Sequence, residues 1–292
     1  MTITSDARPL YRDPTAPIHE RVADLLGRMT LAEKLAQLGS AWVFQVASHD
    51  RLEVDRAAPL LAHGIGHITR ISGASNLTAT QSAALANEIQ RYLIDHTRLG
   101  IPAVIHEEIC AGLMAREATV FPQALGVAAT FRPEHNRAIG DAVRLQMRAM
   151  GAHCGLSPVL DVCRDPRWGR LEETFGEDPY LVTQMGVAFT DGLQGPDLTE
   201  GVAATAKHLV GYGASEGGMN WAPAHLPERE LRDVYLRPFE AVVRDAAIAS
   251  IMNGYHELDG VPCAANSWLL TDLLRGEWGF DGTVLSDYFS VA

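Results

Sequence analysis

The sequence is poor in cysteine, short of basic charge and without a long apolar run, and each shortage removes a class of function. Its four cysteines, Cys110, Cys154, Cys163 and Cys263, form no C-x-x-C pair and are too few for a disulfide scaffold at 292 residues, so they read as buried, reduced thiols. Lys and Arg number 24 against 36 Asp and Glu, and the net charge of -12 repels phosphate backbones and anionic lipid surfaces. No basic stripe offsets it. A nucleic-acid partner is therefore not expected, and a neutral substrate fits better. No stretch approaches the ~18 apolar residues of a membrane span, and the N-terminus, MTITSDARPLYRDPTAPIHERV, lacks a basic start followed by an apolar run. The expectation is a cytoplasmic protein with no membrane partner.

Several chemistry-bearing motifs are missing too. GYGASEGG at 211–218 has glycines that do not match G-x-G-x-x-G, and no Walker Lys-Ser/Thr follows it. His63 and His67 are four apart but lack the H-E-x-x-H glutamate, in a segment that reads as a strand with both on one face. Neither a nucleotide, a metal nor any other cofactor is expected.

What is present is a foldable chain: 47% hydrophobic and 21% charged residues, with 26 glycines and 15 prolines. No internal repeat or linker divides it, so residues 17–292 read as one continuous domain behind an arm at 1–16. Val22, Leu25, Leu26 and Met29 recur at helical spacing, and Thr30 with Glu33 looks like a capping box opening a second helix. Strand candidates follow at QLGSAWVFQV, GIGHITR, IPAVIHEE, GLSPVLDV, VAATAKHL, ASIMNGYH and GTVLSDY. Between several of them lie amphipathic helices, among them PEHNRAIGDAVRLQMRAM, DPYLVTQMGVAFTDGL and PERELRDVYLRPFEAVVRDA. Alternating strands and helices imply a parallel sheet.

Five of the strand candidates run apolar and then end in polar residues: Glu107 and Glu108, Asp161, Lys207 and His208, Asn253 with Tyr255, and Asp287. A closed parallel barrel gathers such ends at one mouth, whereas an open doubly wound sheet concentrates its site at one crevice. The fold class expected is thus α/β, a (β/α)8 TIM-like barrel with seven strands visible. Asp287 follows VLS directly, and a charge there is costly unless it faces a polar cavity; the competing reading is a helix N-cap. Lys207 and His208 are adjacent, so both reach one ligand only if their strand twists or bulges.

The ordered segments HEEICAGLMAREATVFPQALGVAAT, SPVLDVCRDPRWGRLEETFGEDP, AATAKHLVGYG, IMNGYHELDGVPCAANSWLLTDLLRGEWGFDG and TVLSDY resemble the catalytic barrel of glycoside hydrolase family 3, over nearly all of residues 10–292. The resemblance implies a retaining β-glucosidase or β-xylosidase acting on small oligosaccharides or aryl and alkyl β-glycosides. It puts the carboxylate nucleophile at Asp287, within Ser286-Asp287-Tyr288. It also implies sugar-gripping roles for Glu108, Arg170, Lys207 and His208, and places Tyr255 beside the nucleophile. Met219 stands where relatives often carry a basic residue. The chain stops five residues after Asp287, before an eighth strand and before the further domain that supplies the acid/base glutamate in most relatives. It is therefore expected to be a C-terminally truncated piece, inactive and marginally stable alone, with that domain of the same polypeptide as its partner. Glu172, Glu173, Glu177 and Glu216 are the internal alternatives for the second carboxylate. A hexosaminidase-like reading would use His225, although Pro223 and Ala224 precede it where an Asp-Ser pair is expected. A sugar-binding piece without catalysis is the reading from a different class.

Overall fold

The computed structural model describes residues 9–291. The expected arm at 1–16 therefore lies partly outside the described residues. Its described part forms one turn, Leu10–Arg12, tied to the Leu99 carbonyl by the Tyr11 hydroxyl and the Arg12 guanidinium at 2.8 and 3.0 Å. Two helices follow, α1 (Ile18–Arg28) and α2 (Leu31–Gln37). The capping box is present: Glu33 N donates to Thr30 Oγ1 at 3.3 Å, and Thr30 N donates to Glu33 Oε2 at 2.8 Å. The Arg98 guanidinium also holds Glu33, which draws that carboxyl down to about 2.

Seven strands form one sheet: β1 (Ser40–Trp42), β2 (His67–Thr69), β3 (Val104–Glu107), β4 (Cys154–Gly155), β5 (Ala203–Leu209), β6 (Ser250–Asn253) and β7 (Thr283–Leu285). Their order across the sheet equals their order in the chain, and each neighbouring pair is parallel. Every crossover therefore steps in the same direction, as in a barrel, with none of the reversal that creates the crevice of a doubly wound sheet. The sheet curls into an incomplete TIM-like barrel. Among the described residues β1 and β7 are its two edges, and Val284 and Leu285 on β7 are half-buried accordingly.

Longer helices pack around it: α3 (Val54–Leu61), α4 (Ala79–His96), α5 (Pro133–Ala149), α6 (Pro179–Gln194), α7 (Arg237–Ala246) and a π-type helix, Trp268–Glu277. Helix α6 starts on Asp178, whose carboxylate accepts the Tyr180 amide at 2.7 Å, and it buries Val182, Met185, Phe189 and Leu193. Its Gly192 lies so close to the Arg137 carbonyl of α5 that a Cβ would collide with that backbone. Among the described residues no helix is long and apolar enough to cross a membrane.

Four local expectations need correction. The strand read over 37–46 is only Ser40–Trp42, and Val43–Val46 that follows is a short helical turn. The strand read over 155–162 is only Cys154–Gly155, because Pro158 has no N–H for the ladder; pairing continues irregularly, with Lys207 N donating to Pro158 O at 3.0 Å. The segment 227–246 is not one regular helix: a π-type turn, Leu231–Tyr235, precedes α7, which takes Pro238 in its first turn. His63 and His67 do not share a strand: only His67 lies on β2, where its Nδ1 meets His106 Nδ1 at 3.2 Å. All four cysteines are free thiols; three are buried, and Cys110 is partly exposed.

Candidate active site

The C-terminal strand ends converge at one mouth. Asp287 follows β7 and is 6% exposed, so it does face a polar site at the end of an apolar run. Its Oδ1 accepts two hydrogen bonds of 2.7 Å, one from the Tyr255 hydroxyl beyond β6 and one from the Tyr288 main-chain N–H. Burial raises the Asp287 carboxyl above its usual range, opposed by the Tyr255 hydroxyl and the Lys207 charge. Two donors on one oxygen fix the plane of the carboxylate. They leave Oδ2 for other work.

Strand β5 supplies Lys207 and His208 together. A register shift between Ala206 and Leu209 provides the bulge that adjacent residues need to reach one site. The Lys207 Nζ donates to Glu108 Oε2 at 2.9 Å. Burial alone would favour a neutral amine, but the Glu108 carboxylate opposes it and holds the ammonium. His208 has no solvent access; its Nδ1 lies 2.8 Å from Asp161 Oδ2 and its Nε2 3.4 Å from Asp287 Oδ2. Burial, then the charges of Arg170 and Lys207, drive the imidazole well below its ordinary value, so the ring is neutral.

The adjacent carboxylates at the end of β3, Glu107 on the strand and Glu108 just past it, diverge as alternation along an extended chain requires. Glu107 is buried and accepts the Ser72 and Gly73 amides at 2.7 and 3.0 Å, with burial pushing it up to about 7. Glu108 points the other way, to Lys207. Arg170 lies in the loop after β4, where Glu173 grips it through two 2.7 Å bonds and the Tyr212 ring lies 5.8 Å from its guanidinium carbon. Glu108, Arg170, Arg70 and Cys110 line a cavity of about 820 Å³, ample for a sugar unit. The Cys110 thiol, pushed up to about 12 by burial, is no nucleophile there.

The profile of the glycosyl hydrolase family 3 N-terminal domain matches residues 30–292. This chain belongs to glycoside hydrolase family 3. A β-xylosidase of Formosa agariphila is 47% identical over 65% of this chain and 28% of its own length. A periplasmic β-glucosidase of Salmonella typhimurium is 32% identical over 92% of this chain and 33% of its own. The solved structure of a β-glucosidase from Erythrobacter marinus superposes with a TM-score of 0.90 at 40% identity, over 97% of this chain and 38% of that one. The family 3 chain described here thus spans about a third of the length of such relatives.

All six residues singled out from the sequence, Glu108, Arg170, Lys207, His208, Tyr255 and Asp287, lie on strand ends or the loops that follow them. Contacts join five of them into two groups: Tyr255, Asp287 and His208, and Lys207 with Glu108. Of the glutamates considered as a second carboxylate, Glu173 is occupied by Arg170, Glu172 and Glu177 are exposed, and Glu216 meets His225 on the surface at 3.3 Å. Sequence reasoning gave no role to the exposed Trp221, whose ring lies 5.4 Å from Tyr255, or to Trp42, 5.1 Å from Tyr288. Aromatic faces flanking a carboxylate suit sugar rings, but nothing in the local pattern signals that these distant residues meet.

Proposed function

We propose that the polypeptide carrying this chain is a retaining β-glycosidase that removes terminal β-D-xylosyl or β-D-glucosyl units from small oligosaccharides or simple glycosides. The observation that carries the reading is the seating of Asp287: a buried carboxylate at a strand end, oriented by Tyr255 and the Tyr288 amide, in a cavity of about 380 Å³ that His106 and Tyr288 also line. The names of the relatives support the substrate class.

In this mechanism Asp287 attacks the anomeric carbon as the glycosidic C–O bond breaks, and the sugar is held as an ester on the carboxylate. Tyr255 and the Tyr288 N–H hold the attacking group in line. The Lys207 ammonium, the Glu108 carboxylate and the Arg170 guanidinium are bidentate or charged partners suited to vicinal hydroxyls. A carboxylic acid about 5–5.5 Å from the nucleophile protonates the leaving oxygen and then activates water. No glutamate considered within this chain stands free beside Asp287, so we assign that acid to a further domain of the same polypeptide.

Exposure of the full-length enzyme to a mechanism-based 2-fluoro glycoside tests the reading. Stoichiometric inactivation that is lost in Asp287→Asn is expected; undiminished labelling of the variant overturns it.

A further inference from the structure

We infer that Asp161 is a positioning residue that, in its protonated form, holds His208 in the tautomer whose Nε2–H faces Oδ2 of Asp287, so keeping the nucleophile ionised and aimed. The inference rests on the reading of Asp287 as nucleophile.

The three side chains stand in a row. Asp161 Oδ2 is 2.8 Å from His208 Nδ1, and His208 Nε2 is 3.4 Å from Asp287 Oδ2. Asp161 is carried there by the irregular continuation of β4, since Leu160 N donates to Lys207 O at 2.6 Å and Val159 bridges Lys207. A neutral imidazole has one ring proton for its two nitrogens. If Asp161 is ionised, the proton sits on Nδ1, and the Nε2 lone pair faces the nucleophile's carboxylate. If Asp161 is protonated on Oδ2, it donates to Nδ1, and Nε2–H turns to Asp287.

The remaining atoms decide between these. Among the described residues, Asp161 Oδ1 is fully buried with no partner, and so is His208 Nε2 apart from its contact with Asp287. An ionised Asp161 would leave a charged oxygen without a donor in the interior, whereas the acid leaves only a carbonyl. In the protonated arrangement Oδ2 accepts the His208 main-chain N–H at 3.1 Å while giving its own proton to Nδ1. Nε2–H then has the one acceptor within reach, at a separation that a small closing movement on substrate binding brings into hydrogen-bond range.

Burial, opposed chiefly by Arg170, raises the Asp161 carboxyl to about 7. The groups facing the row hold their states around that value. Arg170 and Lys207 stay cationic against Glu173 and Glu108. Burial keeps Tyr212 and Tyr255 neutral phenols, His256 neutral at about 4 and the Cys163 thiol protonated at about 11. Glu107 also titrates at about 7, but its oxygens bond the Ser72 and Gly73 amides rather than His208.

A 2,4-dinitrophenyl β-xyloside or β-glucoside isolates this effect, because its leaving group departs without a proton and an alkaline limb cannot come from the acid catalyst. With the full-length enzyme, kcat/KM is expected to fall as pH rises through about 7. Asp161→Asn offers a carbonyl that accepts from both the ring and the main chain, which fixes the proton on Nδ1. It should lower kcat/KM about 10- to 100-fold below pH 7 and abolish the limb. A variant within about twofold of wild type with the limb intact overturns the inference. So does a flat wild-type profile between about pH 5.5 and 8.5, a result independent of whether the variant folds. Trapping with the 2-fluoro glycoside runs alongside. No adduct on Asp287 sinks the nucleophile reading itself, whereas an adduct with a flat profile sinks the Asp161 role alone.

Discussion

Two histidines in this molecule each stand between two carboxylates, and only their surroundings differ. His208 lies 2.8 Å from Asp161 and 3.4 Å from Asp287 with no solvent access; His225 lies 3.3 Å from Glu216 and 3.5 Å from Asp259 with its side chain 59% exposed. In water a charged pair at such distances gains little, because solvent screens it and the side chains stay mobile. In the interior the same geometry dictates protonation states, since every charge lacking a partner costs several kcal/mol. Charged residues are therefore informative about chemistry at the mouth of the barrel and nearly silent on its rim. The hexosaminidase-like alternative rested on the rim histidine, whose partners are surface carboxylates rather than Asp287.

The comparison breaks most visibly at the proposed nucleophile. Asp287→Asn should cost kcat a factor of roughly 10⁴ or more, while keeping the fold and the hydrogen bond from Tyr255. Steady-state assay of an aryl glycoside with unfolding curves checks both halves. A residual rate near wild type would show that the buried row is not the catalytic one.

Next in size is the buried ion pair. Glu108→Ala strands the Lys207 ammonium, of which only 3% is exposed, without its carboxylate. Loss of about 3–5 kcal/mol in urea unfolding at neutral pH is expected. A cost below about 1 kcal/mol would mean that Lys207 is as well solvated as the rim charges.

Asp161 gives the comparison a pH axis. Its carboxyl is raised in the folded state from 3.8 to about 7, so the native protein keeps a proton that the unfolded chain releases. Stability from this group is full below about pH 4 and is lost as pH rises towards about 7, since there the native state binds more protons. Asp161→Asn lacks that loss. The urea midpoint of wild type minus that of the variant should shrink from pH 4.5 to pH 7.5, and an unchanged difference contradicts a protonated Asp161.

Substrate preference sharpens the picture on a finer scale. On a steric account of preference, Glu108, one methylene longer than aspartate, reaches into the space that a C6 hydroxymethyl group needs. Glu108→Asp should shift the ratio of kcat/KM towards glucosides and away from xylosides, within the 10- to 200-fold that such fit allows. A ratio that does not move excludes the steric account. The smallest effect belongs to the rim: His225→Ala should change stability by less than about 0.5 kcal/mol and activity by less than about twofold.

Legibility in the sequence followed the same divide. The α/β alternation and the strand-end polar residues were readable because burial imposes period and position. Asp287 after an apolar run and the bulge required by Lys207–His208 are examples. The capping box at Thr30 was readable because it is local. By contrast Val22 and Leu26, which mark α1 as amphipathic, remain 47% and 48% exposed. Periodicity reports a helix and not the partner for its face. The brevity of β4 follows from Pro158, a single residue inside an otherwise convincing run. Asp161 could be picked out as a polar strand-end residue, but its contact with His208 spans 47 positions. Nor does local patterning pair Trp221 with Tyr255.

The central claim is that Asp287 forms the covalent intermediate, and peptide mapping tests it most directly. The full-length enzyme is inactivated with a 2-deoxy-2-fluoro β-glycoside, digested with pepsin and read by tandem mass spectrometry. The account predicts one fluoroglycosyl adduct, on the peptide containing Ser286-Asp287-Tyr288 and localised to Asp287. An adduct on any other carboxylate, Glu108, Glu173 and Glu216 included, would contradict it.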